Sequence, residues 1–160
     1  MNKWLLAWLA LTVIGSAPAM AADELSNGQT LYLPVYSKIW YGDRVVKDKY
    51  PLEHFLSVLV SIRNASFKTP IRVLSARYYS TEGRLISEFV SKPITIGTMG
   101  TYELFVERKE AEGGSGANFV IQWDSASPTN PPVVEAVHAD ISGPRTLSFV
   151  TSAHPIQPDK

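Results

Sequence analysis

Residues 55–64, FLSVLVSIRN, set the constraint that any fold of this chain must meet. Leu56, Val58, Val60 and Ile62 fall on one side of an extended backbone, with Ser57, Ser61 and Arg63 on the other. That two-residue period belongs to a strand with one buried face. A strand leaves its N–H and C=O groups unpaired unless other strands flank it, so partners must exist elsewhere in the chain.

Candidates recur about every ten residues, the rhythm of an all-β chain. Ile71 to Ser80 alternates Arg72, Leu74, Ala76 and Tyr78 with Ile71, Val73, Ser75, Arg77 and Tyr79. Thr81-Glu82-Gly83-Arg84 is a turn in which Gly83 can take positive φ, and Leu85 to Ser91 follows, so 71–91 predicts a hairpin. In Met99 to Asp124, Tyr102, Leu104 and Val106 alternate with Thr101, Glu103, Phe105 and Glu107. After a charged, glycine-rich loop, Phe119, Ile121 and Trp123 alternate with Asn118, Val120 and Gln122. This last run is nearly all apolar, which predicts the middle of a sheet, with Trp123 in the core.

Thr30 to Ser37 points Leu31, Leu33 and Val35 one way and Tyr32, Pro34 and Tyr36 the other. Pro34 cannot donate to a ladder, so this strand is expected at an edge or a bulge. Residues 39–51 read as a connection, 93–97 as a short extended piece, and 125–132 (SASPTNPP) as a loop. Val133, Val137 and Ile141 have helical spacing, but β-branched content and the flanking Pro131-Pro132 and Gly143-Pro144 predict a strand. Leu147 to Val150 closes the series. The expectation is all-β: a single antiparallel β-sandwich, immunoglobulin- or fibronectin-like, with a closed barrel as the alternative.

The first 21 residues stand apart. Lys3, the apolar Trp4 to Ile14 and the ending Ala19-Met20-Ala21 form a secretory signal with its cleavage site. The apolar run is shorter than the ~20 residues that span a bilayer. The division expected is therefore a cleaved signal at 1–21, a flexible arm at 22–29, the sandwich at 30–152 and a flexible tail at 153–160. This predicts a periplasmic or secreted protein with no transmembrane segment after cleavage. The chain has no cysteine, which excludes disulfides, thiolate chemistry and a lipid anchor. With 15 basic and 15 acidic groups, it has no general attraction for nucleic acid, and no nucleic-acid partner is expected.

The order TLYLPVYS, SIRNAS, RYYSTEGRLI, KPITIG and GGSGANFVIQW resembles a bacterial family, the domain of unknown function 3124. The likeness covers nearly all of residues 28–152, and GGSGANF followed by a tryptophan is its most specific part. Many members of that family look exported, often as lipoproteins; this chain departs there, having no cysteine to carry a lipid. The resemblance implies one exported domain and brings no activity with it.

Four groups of residues could carry chemistry. Gly113-Gly114-Ser115-Gly116-Ala117 is close to the Gly-x-Ser-x-Gly hydrolase elbow, but Ala117 takes the last position and a strand, not a helix, should follow. A flexible loop or tight turn is the expectation. Glu107, Glu110, Glu112 and Asp124 could offer oxygens to Ca²⁺, but Arg108 and Lys109 sit among them and the spacing fits no known loop. His138 has Asp140 on its own strand face and Glu135 on the other; two ligands do not make a metal site, and His138 reads as a surface histidine.

The fourth group is aromatic. Tyr32, Tyr36, Trp40 and Tyr41 either cap one end of the sandwich or form an exposed strip for a peptide, a partner strand or a glycan. No catalytic set, cofactor or metal is expected. The reading is a non-catalytic binding or protein-interaction module. It would use Tyr32, Tyr36, Trp40 and Tyr41, with a second candidate region in the loop Glu107, Gly113, Gly114, Ser115, Gly116 and Asn118. The alternative is a small-ligand or metal carrier using loops at one end of the sandwich.

Overall fold

The computed structural model describes residues 24–43, 51–141 and 146–157; the expected signal at 1–21 lies outside them. Among the described residues there are twelve strands and no helix, so none that could cross a membrane. Every strand pair is antiparallel.

The first sheet contains β1 (Ser26–Pro34), β5 (Ile71–Tyr79), β6 (Leu85–Glu88), β7 (Ile94–Ile96), β9 (Asn118–Thr129) and β12 (His154–Ile156). Its order is β12-β1-β9-β5-β6, with β7 also on β5. The second sheet runs β11 (Leu147–Ser152), β10 (Val133–Asp140), β4 (Ser57–Arg63) and β8 (Thr101–Val106). A separate hairpin joins β2 (Lys38–Tyr41) to β3 (Leu52–Phe55).

The alternation in the sequence becomes one core between the two sheets. Leu31, Leu33, Phe119, Ile121 and Trp123 from the first sheet join Val58, Val60, Ile62, Leu104, Val106, Val134 and Ala136 from the second. As expected, β9 is central, between β1 and β5, and Trp123 is buried. Strands β4 and β8 are neighbours in the second sheet and β5 and β9 in the first, while β10 pairs with β4 and β1 lies beside β9.

Several expectations are corrected. Residues Ser26–Gln29, expected in the arm, belong to β1, and His154–Ile156, expected in the tail, pair with Thr30–Tyr32. Strand β1 is therefore not an edge; Pro34 is its last residue, where a missing donor costs nothing in the ladder. Residues 125–129 are not loop but continue β9, with Thr129 opposite Ser26. Residues 39–41, read as connection, and 52–54, given no element, lie in the β2–β3 hairpin.

In β5 the buried residues are Ile71 and Val73, then Ala76 and Tyr78. A bulge between Val73 and Ser75 shifts the pairing with β9, so the faces exchange halfway along the strand. The 71–91 hairpin forms as expected, with Gly83 at φ +77° in its turn.

Candidate interaction surface

The glycine-rich loop joins β8 in one sheet to β9 in the other, and the structure holds it closed rather than flexible. Gly114 N–H donates to the Ser37 hydroxyl at 2.9 Å, and Ser37 N–H donates to Gly114 C=O at 3.1 Å. Thr81 donates through its N–H and hydroxyl to Gly113 C=O and accepts from Gly116 N–H, all at 2.8–2.9 Å. Glu110 accepts from the Tyr78 hydroxyl at 2.7 Å and from Glu112 and Gly113 N–H. Burial, then Glu110, raises the pKa of the Tyr78 phenol well above its ordinary value. A Cβ on Gly113 would lie 1.8 Å from that phenol oxygen, so only glycine fits.

The remaining loop groups are also placed. Glu107 pairs with Lys109 at 2.7 Å and Glu112 with Arg84 at 3.1 Å. Asp124 lies in β9 in a fork with Arg72, which lowers its pKa through the hydrogen bond and charge of the guanidinium. Each of the four acidic groups thus has its own side-chain partner: Lys109, Tyr78, Arg84 and Arg72. Ser115 is half-buried, and the loop leads directly into strand β9 rather than a helix, as the departure from a hydrolase elbow predicts. Asn118 opens β9 between Pro34 and Tyr79.

The four aromatics do not share one surface. Tyr32, 36% exposed, stands on the outer face of the first sheet, while Trp40 and Tyr41 are exposed on the β2–β3 hairpin. Lys38 Nζ lies 5.1 Å from the Trp40 ring centre. Tyr36 turns inward, its ring edge-on to His138 and Phe149 at 5.7 Å. His138 is fully buried, a correction of the surface reading, with its ring stacked on Phe149 at 4.4 Å. Its Nε2 accepts from Tyr36 N–H at 3.0 Å. Burial lowers its pKa, with backbone groups of Phe149 and Ala136 partly opposing. The ring is a neutral acceptor in the core.

Two residues along, buried Asp140 takes His54 Nε2 at 2.7 Å and Arg108 at 3.4 Å. It ties the hairpin and the 107–117 loop to β10. Glu135, on the opposite face as expected, pairs with Arg63.

The outer face of the second sheet holds what the sequence reading missed. Val137 lies opposite Val150 on β11 and Leu59 on β4, and Leu59 lies opposite Phe105 on β8. These four residues form one apolar row across every strand of the sheet, about 14 Å long at 4.8 Å per strand. Phe105 and Val150 are each 55% exposed; Leu59 and Val137 are half-buried by their neighbours. One adjacent row is Ser152, Glu135, Ser61 and Glu103, and the other includes Ser148, Ala139 and Ser57. Single exposed apolar residues are ordinary, but a continuous apolar patch with a polar rim marks a contact surface. The available signal was phase: Leu59 and Phe105 are the apolar residues on otherwise polar faces of two well-alternating strands.

Residues 28–156 match the family described as "Protein of unknown function (DUF3124)". The chain belongs to this family. The matched span begins within β1 and ends within β12, so the DUF3124 unit is closed at both ends by paired strands. No curated protein matches the chain. A solved structure, "Crystal Structure of Thermotoga maritima 1070", is 13% identical with a TM-score of 0.44, covering 79% of this chain and 92% of that one.

Proposed function

We infer that this DUF3124 protein is a non-catalytic protein-interaction module that works outside the cytoplasm on an immunoglobulin-related scaffold. The observation that carries the reading is the row Val150–Val137–Leu59–Phe105 on an open sheet face. Export rests on the signal pattern of residues 1–21, and the cysteine-free composition suits a domain stabilised by its core alone. The hairpin aromatics Trp40 and Tyr41, on a different element, offer a smaller second contact.

A photoreactive residue at Val150, in producing cells, is expected to give one discrete protein adduct that a Leu59→Asp change removes. The same probe at Thr30, on the first sheet, is expected to give none. Equal yields from both faces would sink the reading. The carrier alternative rests on a cleft of about 450 Å³ lined by Gln29, Thr30, Leu74, Gln122 and Pro155 among others. A ligand filling it at 100 times its Kd would stabilise the domain by about 2.7 kcal/mol, readable as a Tm shift across sugars, metals and peptides.

A further inference from the structure

The apolar row ends at β8, where the second sheet also ends: among the described residues β8 pairs with β4 alone. In an edge strand every second residue turns its N–H and C=O away from the one partner, and such an edge templates a further strand. The outer face at this edge reads Glu103, Phe105, Glu107, all exposed. On the inner side, Val106 from β8, Tyr78 and Ile86 from the first sheet and Phe89 just after β6 line a groove of about 490 Å³, which Phe105, Glu107, Lys109 and Glu110 also border. The groove is thus mostly apolar with charged groups at its border, and the outer rim of the edge is acidic.

We propose that β8 accepts an extended strand from another protein, with outer-face side chains that alternate basic, apolar, basic and an inner-face apolar side chain that enters the groove. The proposal rests on the second sheet being the interaction surface and names the chemistry of its partner. In an antiparallel pair the side chains directly opposite each other interact, and opposite charges there are favourable. Basic residues against Glu103 and Glu107, with an apolar one against Phe105, would extend the apolar row by one strand. Glu107 now holds Lys109, but both are exposed, and such surface pairs are weak enough to exchange for an incoming cation. The same carboxylates disfavour a second copy of this chain. A two-fold pairing centred on Phe105 would set Glu103 of each copy against Glu107 of the other, like charges face to face.

The test uses the full chain and a short peptide, Thr-Lys-Val-Leu-Val-Lys-Thr, followed by amide hydrogen exchange. Expected is protection of the outward amides of Thr101–Val106, with affinity that falls as salt rises. Reversing both charges, Glu103→Lys with Glu107→Lys, is expected to weaken binding about tenfold, as two cross-strand pairs turned repulsive would. The reversed protein should instead bind the peptide with Glu in place of each Lys. Binding without β8 protection, binding indifferent to the charge exchange, no binding at millimolar peptide, or self-association through β8 would each overturn the proposal. The adduct from Val150 is read separately, so the strand proposal can fail while the surface reading stands. Both substituted positions are exposed, and a thermal melt verifies that the variants keep the fold.

Discussion

The 107–117 loop and the outer face of the second sheet reverse the usual relation between appearance and role. The loop has the composition of a functional segment, with three glutamates, three glycines and a serine. Yet its polar groups are turned on the protein itself, to Ser37, Tyr78, Thr81 and Arg84. The sheet face has the composition of ordinary strands, yet it leaves four apolar side chains in a row toward solvent. A residue type suggests what chemistry is possible; the partner it has already found decides what is left for a ligand.

The contrast predicts a double dissociation: changes at the clamped positions 110–117 cost stability and spare binding, and changes on the face and its edge, Glu107 included, do the opposite. The largest effect is expected from Gly113→Ala. Its methyl group collides with the Tyr78 hydroxyl, and overpacking of this kind costs about 3 kcal/mol, or about 10 °C in Tm. Full stability in that variant would mean that the loop is not clamped. Glu110→Gln comes next, at about 2 kcal/mol, because a charged acceptor of one phenol and two backbone N–H groups is weakened. The Val150 adduct should survive it at unchanged yield.

The third effect is one of pH. His138 has a folded-state pKa below its ordinary value, so between the two pKa values the unfolded chain binds more protons than the native one. Stability therefore falls as pH drops through the histidine range, below about 6.5. His138→Leu should flatten that part of the stability-against-pH curve, measured by denaturant melts. An unchanged slope would place the acid sensitivity elsewhere. The smallest stability effect is expected from Phe105→Ser, within about 0.5 kcal/mol for a side chain that is mostly exposed. Here the adduct, not the melt, should respond.

Much of the fold was legible because burial on one face writes a period of two into the sequence. Leu56, Val58, Val60 and Ile62 are all fully buried, as their spacing predicts. Strand β9 was central because its apolar residues fall on both faces. The bulge at Val73–Ser75 was not legible, since neither Leu74 nor Ser75 is a residue type that marks one. Pro34 misled because a proline ends a strand as readily as it marks an edge. Polar Ser125 to Ser127 carry no signal of strand, yet they lie within β9. Of the candidate site, the aromatics were found but not their directions, and the only trace of the apolar row was Leu59 and Phe105, each apolar on an otherwise polar strand face. Leu59, Phe105, Val137 and Val150 become neighbours only through the register of four strands, a property of pairing rather than of any one segment.

The pairing that puts β1 beside β9, and β12 beside β1, also sets an order of events. Leu31 waits for Ile121, and Thr30 for Ile156, so the first of the described strands to be synthesised is among the last to find its hydrogen bonds. Pairings so distant along the chain are slow to close. On the exported reading that delay is useful: a polypeptide whose opening strand has no early partner stays threadable until it has passed through a narrow channel, and folds on the far side.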